Sequence, residues 1–441
     1  MSWLLFAVGL AALALGVNVL FPSRSLLGLG ISFFAEWLVA ELAHWTILVL
    51  AGGVVALVAL GGLDQWPGWV GLVAAAIGAA LMVTEMVLAS RSGPAVAAAL
   101  ADAGLEPPTP VRGRWLRLLF PFWLHDRRIE RVKNLRYAEG AGRRHLCDVY
   151  RPRGGPVAGA PVLLQIHGGG WLIGNKQQQG RPLMNRMAEH GWVCVAINYR
   201  LAPKAKMPAQ IIDVKLALAW IRAHIAEYGG DPGRVIVTGG SAGGHLAAMA
   251  ALTMNDPQYQ PDFETADTSV IAAVPLYPPT DLLPLFTFRG KRANRVADRT
   301  AALVFGAAIS SDPDRYRGWS PISLVTPGAV PFLVIQGSAD NLVPVAQTRA
   351  FVDVLRSIPG QRVVYLELPG APHAFEVFHS VRAEAAVGAV AQFCDSVVAG
   401  LPVADADSRP GVAEEPAASA AAEAPVSPSP PGGTSAAGAA G

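Results

Sequence analysis

Three side chains, far apart in the sequence, have the types and settings needed for nucleophilic attack on a carbonyl. Ser241 stands at the centre of Gly239-Gly240-Ser241-Ala242-Gly243, after Arg234-Val235-Ile236-Val237-Thr238 and before Gly244-His245-Leu246-Ala247-Ala248. That pattern predicts a strand, a sharp turn and a helix, with the serine at the apex. A serine hydroxyl is a weak nucleophile. It attacks a carbonyl when it projects from the backbone, reaches a histidine base and lies beside oxyanion donors. The base candidate is His373, in Pro369-Gly370-Ala371-Pro372-His373 after the strand-like run Val363 to Leu368. The acid candidate is Asp340, in Ser338-Ala339-Asp340-Asn341 after Pro331 to Gly337. The oxyanion candidates are the amides of Gly168, Gly169 and Gly170, in His167-Gly168-Gly169-Gly170-Trp171, together with that of Ala242. Consecutive glycines let backbone amides approach a ligand closely.

These residues must be delivered to one place by the elements that carry them. Short apolar runs precede each one: Pro161 to Ile166, Trp192 to Ile197, Val235 to Thr238, Val270 to Leu276, and those before Asp340 and His373. They alternate with helical patterns such as Ile211 to Glu227, as a doubly wound, mostly parallel α/β sheet requires. The carboxyl ends of parallel strands share one edge, where loops converge on a ligand. Leu282 to Ser320 interrupts the alternation and is expected to shape the pocket at that edge.

With these pieces in place, the segment from about Val132 to Leu401 resembles α/β-hydrolase esterases and lipases, specifically the hormone-sensitive-lipase-like carboxylesterase branch. His167 to Trp171, Asn198-Tyr199-Arg200-Leu201-Ala202-Pro203, Asp231-Pro232-Gly233-Arg234 and the pair Asp340 and His373 carry the resemblance. It implies a Ser241-His373-Asp340 triad, an acyl-enzyme and no metal or organic cofactor. One departure is visible: that branch often has an acid before the serine, where this chain has Gly240. The resemblance leaves other acyl hydrolases open, an amidase or arylformamidase or a sugar deacetylase, and a non-catalytic membrane scaffold is the rival of a different class.

Composition adds a second theme. Of the 441 residues, 52% are hydrophobic, above the usual share for a soluble domain. The excess lies before residue 91. Trp3 to Phe21, Thr46 to Leu63 and Val70 to Ala89 are each close to the ~20 apolar residues that cross a bilayer. Leu26 to Trp45 is apolar but holds Glu36, Glu41 and His44; the expectation is an interfacial turn with its charges at headgroup level, the alternatives being a fourth span or the first half of a long kinked segment. With three spans, Arg24 and the chain after Arg91 share a side opposite Asp64, and the positive-inside rule puts the catalytic domain in the cytoplasm; with four it faces out.

The expected organisation is a membrane region over 1–90 with three or four helices, a juxtamembrane linker or cap over 91–131, the α/β-hydrolase domain over 132–401 and a disordered Ala/Pro-rich tail over 402–441. The spans are expected to anchor an integral membrane protein without joining in catalysis, because every catalytic candidate follows residue 160. The basic, aromatic stretch Arg112 to Arg128 suits either a headgroup interface or a cap. Expected partners are an ester or lipid substrate and the bilayer. A net charge of +2 gives no argument for nucleic acid. Cys147, Cys194 and Cys394 lack metal-ligand spacing.

Overall fold

The computed structural model describes residues 1–23, 25, 29–109, 114–154, 158–286 and 291–400. Arg24, Arg112 and the tail lie outside them. The first six helices are α1 (Ser2–Leu20), α2 (Leu29–Glu41), α3 (Ala43–Ala59), α4 (Trp66–Ser90), α5 (Ser92–Asp102) and α6 (Arg114–Leu119). Then follow β1 (Ile129–Arg136), β2 (Leu146–Pro152), β3 (Ala160–Ile166), α7 (Arg181–Glu189), β4 (Val193–Ile197), α8 (Ala209–His224), β5 (Gly230–Gly240) and α9 (Ala242–Leu252). The rest is β6 (Ala272–Leu276), α10 (Leu282–Leu285), α11 (Lys291–Phe305), α12 (Pro313–Gly318), β7 (Phe332–Gly337), α13 (Val345–Arg356), β8 (Val363–Leu368) and α14 (Val381–Ala399).

The eight strands form one sheet in the order β1-β2-β4-β3-β5-β6-β7-β8. β1 pairs with β2, and β2 with β4, in antiparallel fashion; every other pairing is parallel. Strands covered on both faces read as continuous apolar runs, and β4, β6 and β7 are buried at every residue. One core joins α8, α9 and α13 to one face of the sheet; the other joins α5, α7 and α14 to the opposite face. α5 therefore supplies Val96 and Leu100 to the hydrolase core, although its sequence falls in the stretch read as linker or cap.

Before the hydrolase, α1 packs along α4. A Cβ at Gly9 would collide with Gly71, and one at Gly16 with Gly78. The equal offset makes the two helices parallel, and the glycines let their backbones touch. Parallel neighbours require the chain to return between them, and α3 is that return: its end at Leu57 meets Gly62, which lies beside Leu5 of α1. α1 and the run Trp66–Asp102 are long and apolar enough to cross a membrane, whereas α2 and α3 meet at a 92° bend.

The stretch expected as a turn contains a helix, α2, bent against α3, and its glutamates are turned inward. Glu36 and Glu41 are buried, and Glu41 Oε1 pairs with Arg382 Nη1 of α14 at 3.1 Å. The second guanidinium nitrogen pairs with Glu85 of α4, and Nε donates to Pro369 O at 3.1 Å. Burying these carboxylates is tolerable because a planar guanidinium answers both. The pairings span about 300 residues of sequence, and no local pattern announces them.

Candidate active site

β5 ends in the turn that carries Ser241, which is half-buried with φ 57° and ψ −123°. Left-handed backbone is costly for a serine, and a packed surround must enforce it. Here Gly239 and Gly243 allow the enforcement: a Cβ on either would strike the carbonyl of Ile166 at the end of β3. The serine amide donates to Leu276 O at 3.0 Å, tying the turn to β6. α9 starts at Ala242 and points its N-terminus at the site. Its far end is capped by the buried Lys215, whose Nζ donates to Ala250 O at 3.1 Å and Thr253 O at 2.6 Å.

β7 delivers Asp340 and β8 delivers His373. They lie 2% and 3% exposed, with His373 Nδ1 at 2.7 Å from Asp340 Oδ2. Asp340 Oδ2 also accepts from Gln336 Nε2 at 3.0 Å, while Oδ1 accepts the amides of Leu342 at 2.9 Å and Val343 at 2.8 Å. An ionised carboxylate can only accept, so this arrangement puts the histidine proton on Nδ1 and leaves Nε2 as a base. Two other buried histidines are unsuited to that work. His167 Nδ1 faces Gly168 O at 2.7 Å and its ring stacks on Tyr199; His245 Nε2 faces Trp319 O at 2.8 Å. Burial lowers both to a pKa of about 4.

The glycine loop divides. The Gly168 amide donates to Gln179 Oε1 at 2.5 Å, so it is spoken for and leaves the set of oxyanion candidates. Gly169 and Gly170 have φ 111° and 59°. Among the described residues none accepts a hydrogen bond from the amides of Gly169, Gly170 or Ala242. Trp171 follows and packs edge-on against His245 and Phe305, with centroids 5.1 and 5.4 Å away. Phe305 ends α11, so the segment that interrupts the α/β alternation buttresses this loop.

Five further residues adjoin the site and escaped the sequence reading. Tyr277 follows β6, between the nucleophile and acid strands, and its ring lies 4.5 Å from that of His373. Its hydroxyl donates to the buried Glu376, and it fills the space beside Gly240, where a Cβ would meet the phenol oxygen. An acidic side chain before the serine is thus excluded by a tyrosine that is itself bound to a carboxylate from the histidine loop. Burial raises the Glu376 carboxyl above the ordinary range, against the opposing pull of the Tyr277 hydroxyl and His373. Position alone could have flagged Tyr277, since it occupies the same sheet edge as the other candidates. From α2, Phe33 lies edge-on to His373 at 6.1 Å, and Trp37 Nε1 donates to Ala374 O at 2.8 Å. Ser32 Oγ of the same helix accepts a long bond, 3.5 Å, from Asn341 Nδ2.

A mostly parallel sheet with a serine turn, an acid and a histidine on one edge defines an α/β-hydrolase. Residues 147–355 match the BD-FAE family model. A probable carboxylic ester hydrolase, LipM of Mycobacterium tuberculosis, is 42% identical over 352 residues, 76% of this chain and 79% of that protein. The esterase LipQ of the same organism is 44% identical over 270 residues, 61% of this chain and 63% of LipQ. Among solved structures, a truncated carbohydrate esterase from gut microbiota aligns with TM-score 0.52 at 25% identity, over 61% of this chain and 96% of that one. The chain belongs to the carboxylic ester hydrolases of the α/β-hydrolase fold, in the hormone-sensitive-lipase-like group with LipM and LipQ, and it is an enzyme of ester bonds.

Proposed function

We propose that this protein is a membrane-anchored serine carboxylesterase or lipase. His373 Nε2 takes the proton of Ser241 as Oγ attacks the ester carbonyl. Asp340 keeps the imidazole in the required tautomer and stabilises the imidazolium. The amides of Gly169, Gly170 and Ala242 hold the oxyanion, and the protonated His373 passes its proton to the departing alcohol. Water, deprotonated by the same histidine, then releases the acid. The observation that carries this reading is the buried 2.7 Å His373–Asp340 pair on the sheet edge that holds the strained Ser241 turn.

Membrane anchorage is supported by α1, whose 19 residues, apolar apart from Ser2 and Asn18, extend about 28 Å, close to a bilayer core. α3 and α4 complete three crossings, with α2 lying across their hydrolase-side end. Arg91, Arg117, Arg127 and Arg128 follow the last crossing, and this excess of arginine supports a cytoplasmic hydrolase.

The test is labelling by a fluorophosphonate together with turnover of p-nitrophenyl butyrate by the full-length protein in detergent. The wild type is expected to do both and Ser241→Ala neither. Labelling that survives Ser241→Ala would refute the nucleophile.

A further inference from the structure

We propose that α2 is the wall of the acyl-binding site, and that the substrate's fatty acyl chain enters from the bilayer through an apolar cavity at the α2–α3 bend. The proposal deepens the esterase reading and rests on it.

The cavity measures about 470 Å³ and is lined by Leu42 and Trp45 from the bend and by the segment Leu119 to Trp123. Among the described residues, those that line it are all apolar or aromatic, and only the Trp45 and Trp123 indoles and the backbone can hydrogen-bond. Its volume falls in the range of small-molecule sites. Phe120, Phe122 and Trp123 are all exposed around it, an aromatic cluster that water covers poorly and a headgroup boundary covers well.

From this cavity a row of rings leads to the base. Phe122 lies 5.0 Å from Phe378, Phe378 lies 5.4 Å from Trp37, Trp37 stacks on Phe33 at 6.1 Å, and Phe33 meets His373 at 6.1 Å. The row belongs half to α2 and half to the hydrolase. It is fixed at the hydrolase end by the Trp37 bond to Ala374 O, and beside the cavity by the His379 amide, which donates to Pro121 O at 3.0 Å. Further along, the Arg382 pairings with Glu41 and Glu85 hold the C-terminal end of α2 in place. Phe122 is exposed, Trp37 and Phe33 are half-buried and Phe378 is buried behind them, so the row offers an extended chain one continuous apolar side to lie against between the cavity and the imidazole. The cavity's occupant is therefore the hydrocarbon tail of a bilayer-resident ester, whose carbonyl is drawn toward Ser241.

The experiment uses the full-length protein in phospholipid vesicles and compares kcat/KM for p-nitrophenyl palmitate with that for p-nitrophenyl butyrate. Leu42→Trp fills the cavity. Excluding two methylene groups from an apolar site is worth roughly tenfold, so the palmitate-to-butyrate ratio is expected to fall about tenfold or more. Phe33→Ala is expected to alter the ratio too, because it removes the ring between tail and base. A ratio unchanged in both variants, with Ser241 still labelled by fluorophosphonate, overturns the proposal and leaves the esterase reading standing. Should Leu42→Trp fail to fold, Leu119→Trp at the opposite side of the cavity gives the same readout. A wild-type protein that neither labels nor hydrolyses either ester refutes the esterase reading itself.

Discussion

Asp340 accepts from Gln336 and from the amides of Leu342 and Val343 and faces His373 Nδ1, contacts that suit a loop carboxylate to orienting an imidazole. Asp340→Asn keeps the shape but presents an amide where His373 needs an acceptor, so the wrong tautomer is favoured. Turnover is expected to fall roughly 10⁴-fold with little change in thermal midpoint. Near-normal rates would remove Asp340 from its assigned role. Tyr277 makes a different kind of prediction. Tyr277→Phe leaves the buried Glu376 without its hydroxyl donor, which costs about 1–3 kcal/mol. Differential scanning fluorimetry should show a lower midpoint for Tyr277→Phe than for Glu376→Gln, whose amide oxygen still accepts from the phenol; equal midpoints would count against the pairing. Ser241, Asp340 and His373 were legible because each ends a strand whose apolar run is visible in the sequence. The loss of Gly168 as a donor was not, because it depends on Gln179, a loop residue with no pattern around it. Gly240 was noticed as a departure, but its reason lies in Tyr277, which is 37 residues away.

At the scale of elements, the central sheet follows from composition: continuous apolar runs become strands buried on both faces, and their order along the chain is that of parallel crossovers. The role of α2 does not follow. Its sequence is apolar with two glutamates, which fits a span, a turn or a wall equally well, and its partners lie more than 300 residues downstream. Phe33 and Trp37 put α2 in contact with the histidine loop, a contact that the reading of the three spans as an anchor did not foresee. Arg382 joins the two parts energetically. Arg382→Met strands Glu41 and Glu85 as buried, unanswered carboxylates, and stability is expected to drop by about 3–5 kcal/mol. Glu41→Gln with Glu85→Gln in the Arg382→Met background should recover much of that loss. No recovery in denaturation midpoint would show that the three groups do not act together.

For the molecule as a whole, a chain beginning at Ser92 loses both carboxylate partners of Arg382 and the α2 wall. It is expected to unfold at lower temperature and to hydrolyse even butyrate esters more slowly than the full-length protein. Equal rates and midpoints would restore the anchor-only view. Acid stability depends on two other groups. His167 and His245 take up a proton near pH 4 in the folded chain, against 6.5 when exposed. Between those values the unfolded state holds more protons, so stability is complete above pH 6.5 and declines as pH falls toward 4. Each histidine contributes up to about 1.4 kcal/mol per pH unit. Melting curves from pH 7 to 5 should fall more steeply for wild type than for His245→Gln; parallel curves would contradict the assignment. The run Trp66–Asp102 has a further consequence, because it passes from the bundle into the second hydrolase core with only Arg91 between α4 and α5. Its 37 residues carry a helical rise of about 55 Å, part in the proposed bilayer and part in the enzyme. A hydrolase on a leash could lean across a gap and work on a neighbouring vesicle. One joined to the proposed span by a short helical break is expected to keep its height above the leaflet, so turnover of a lipid ester should be confined to vesicles that hold the enzyme and spare added enzyme-free vesicles.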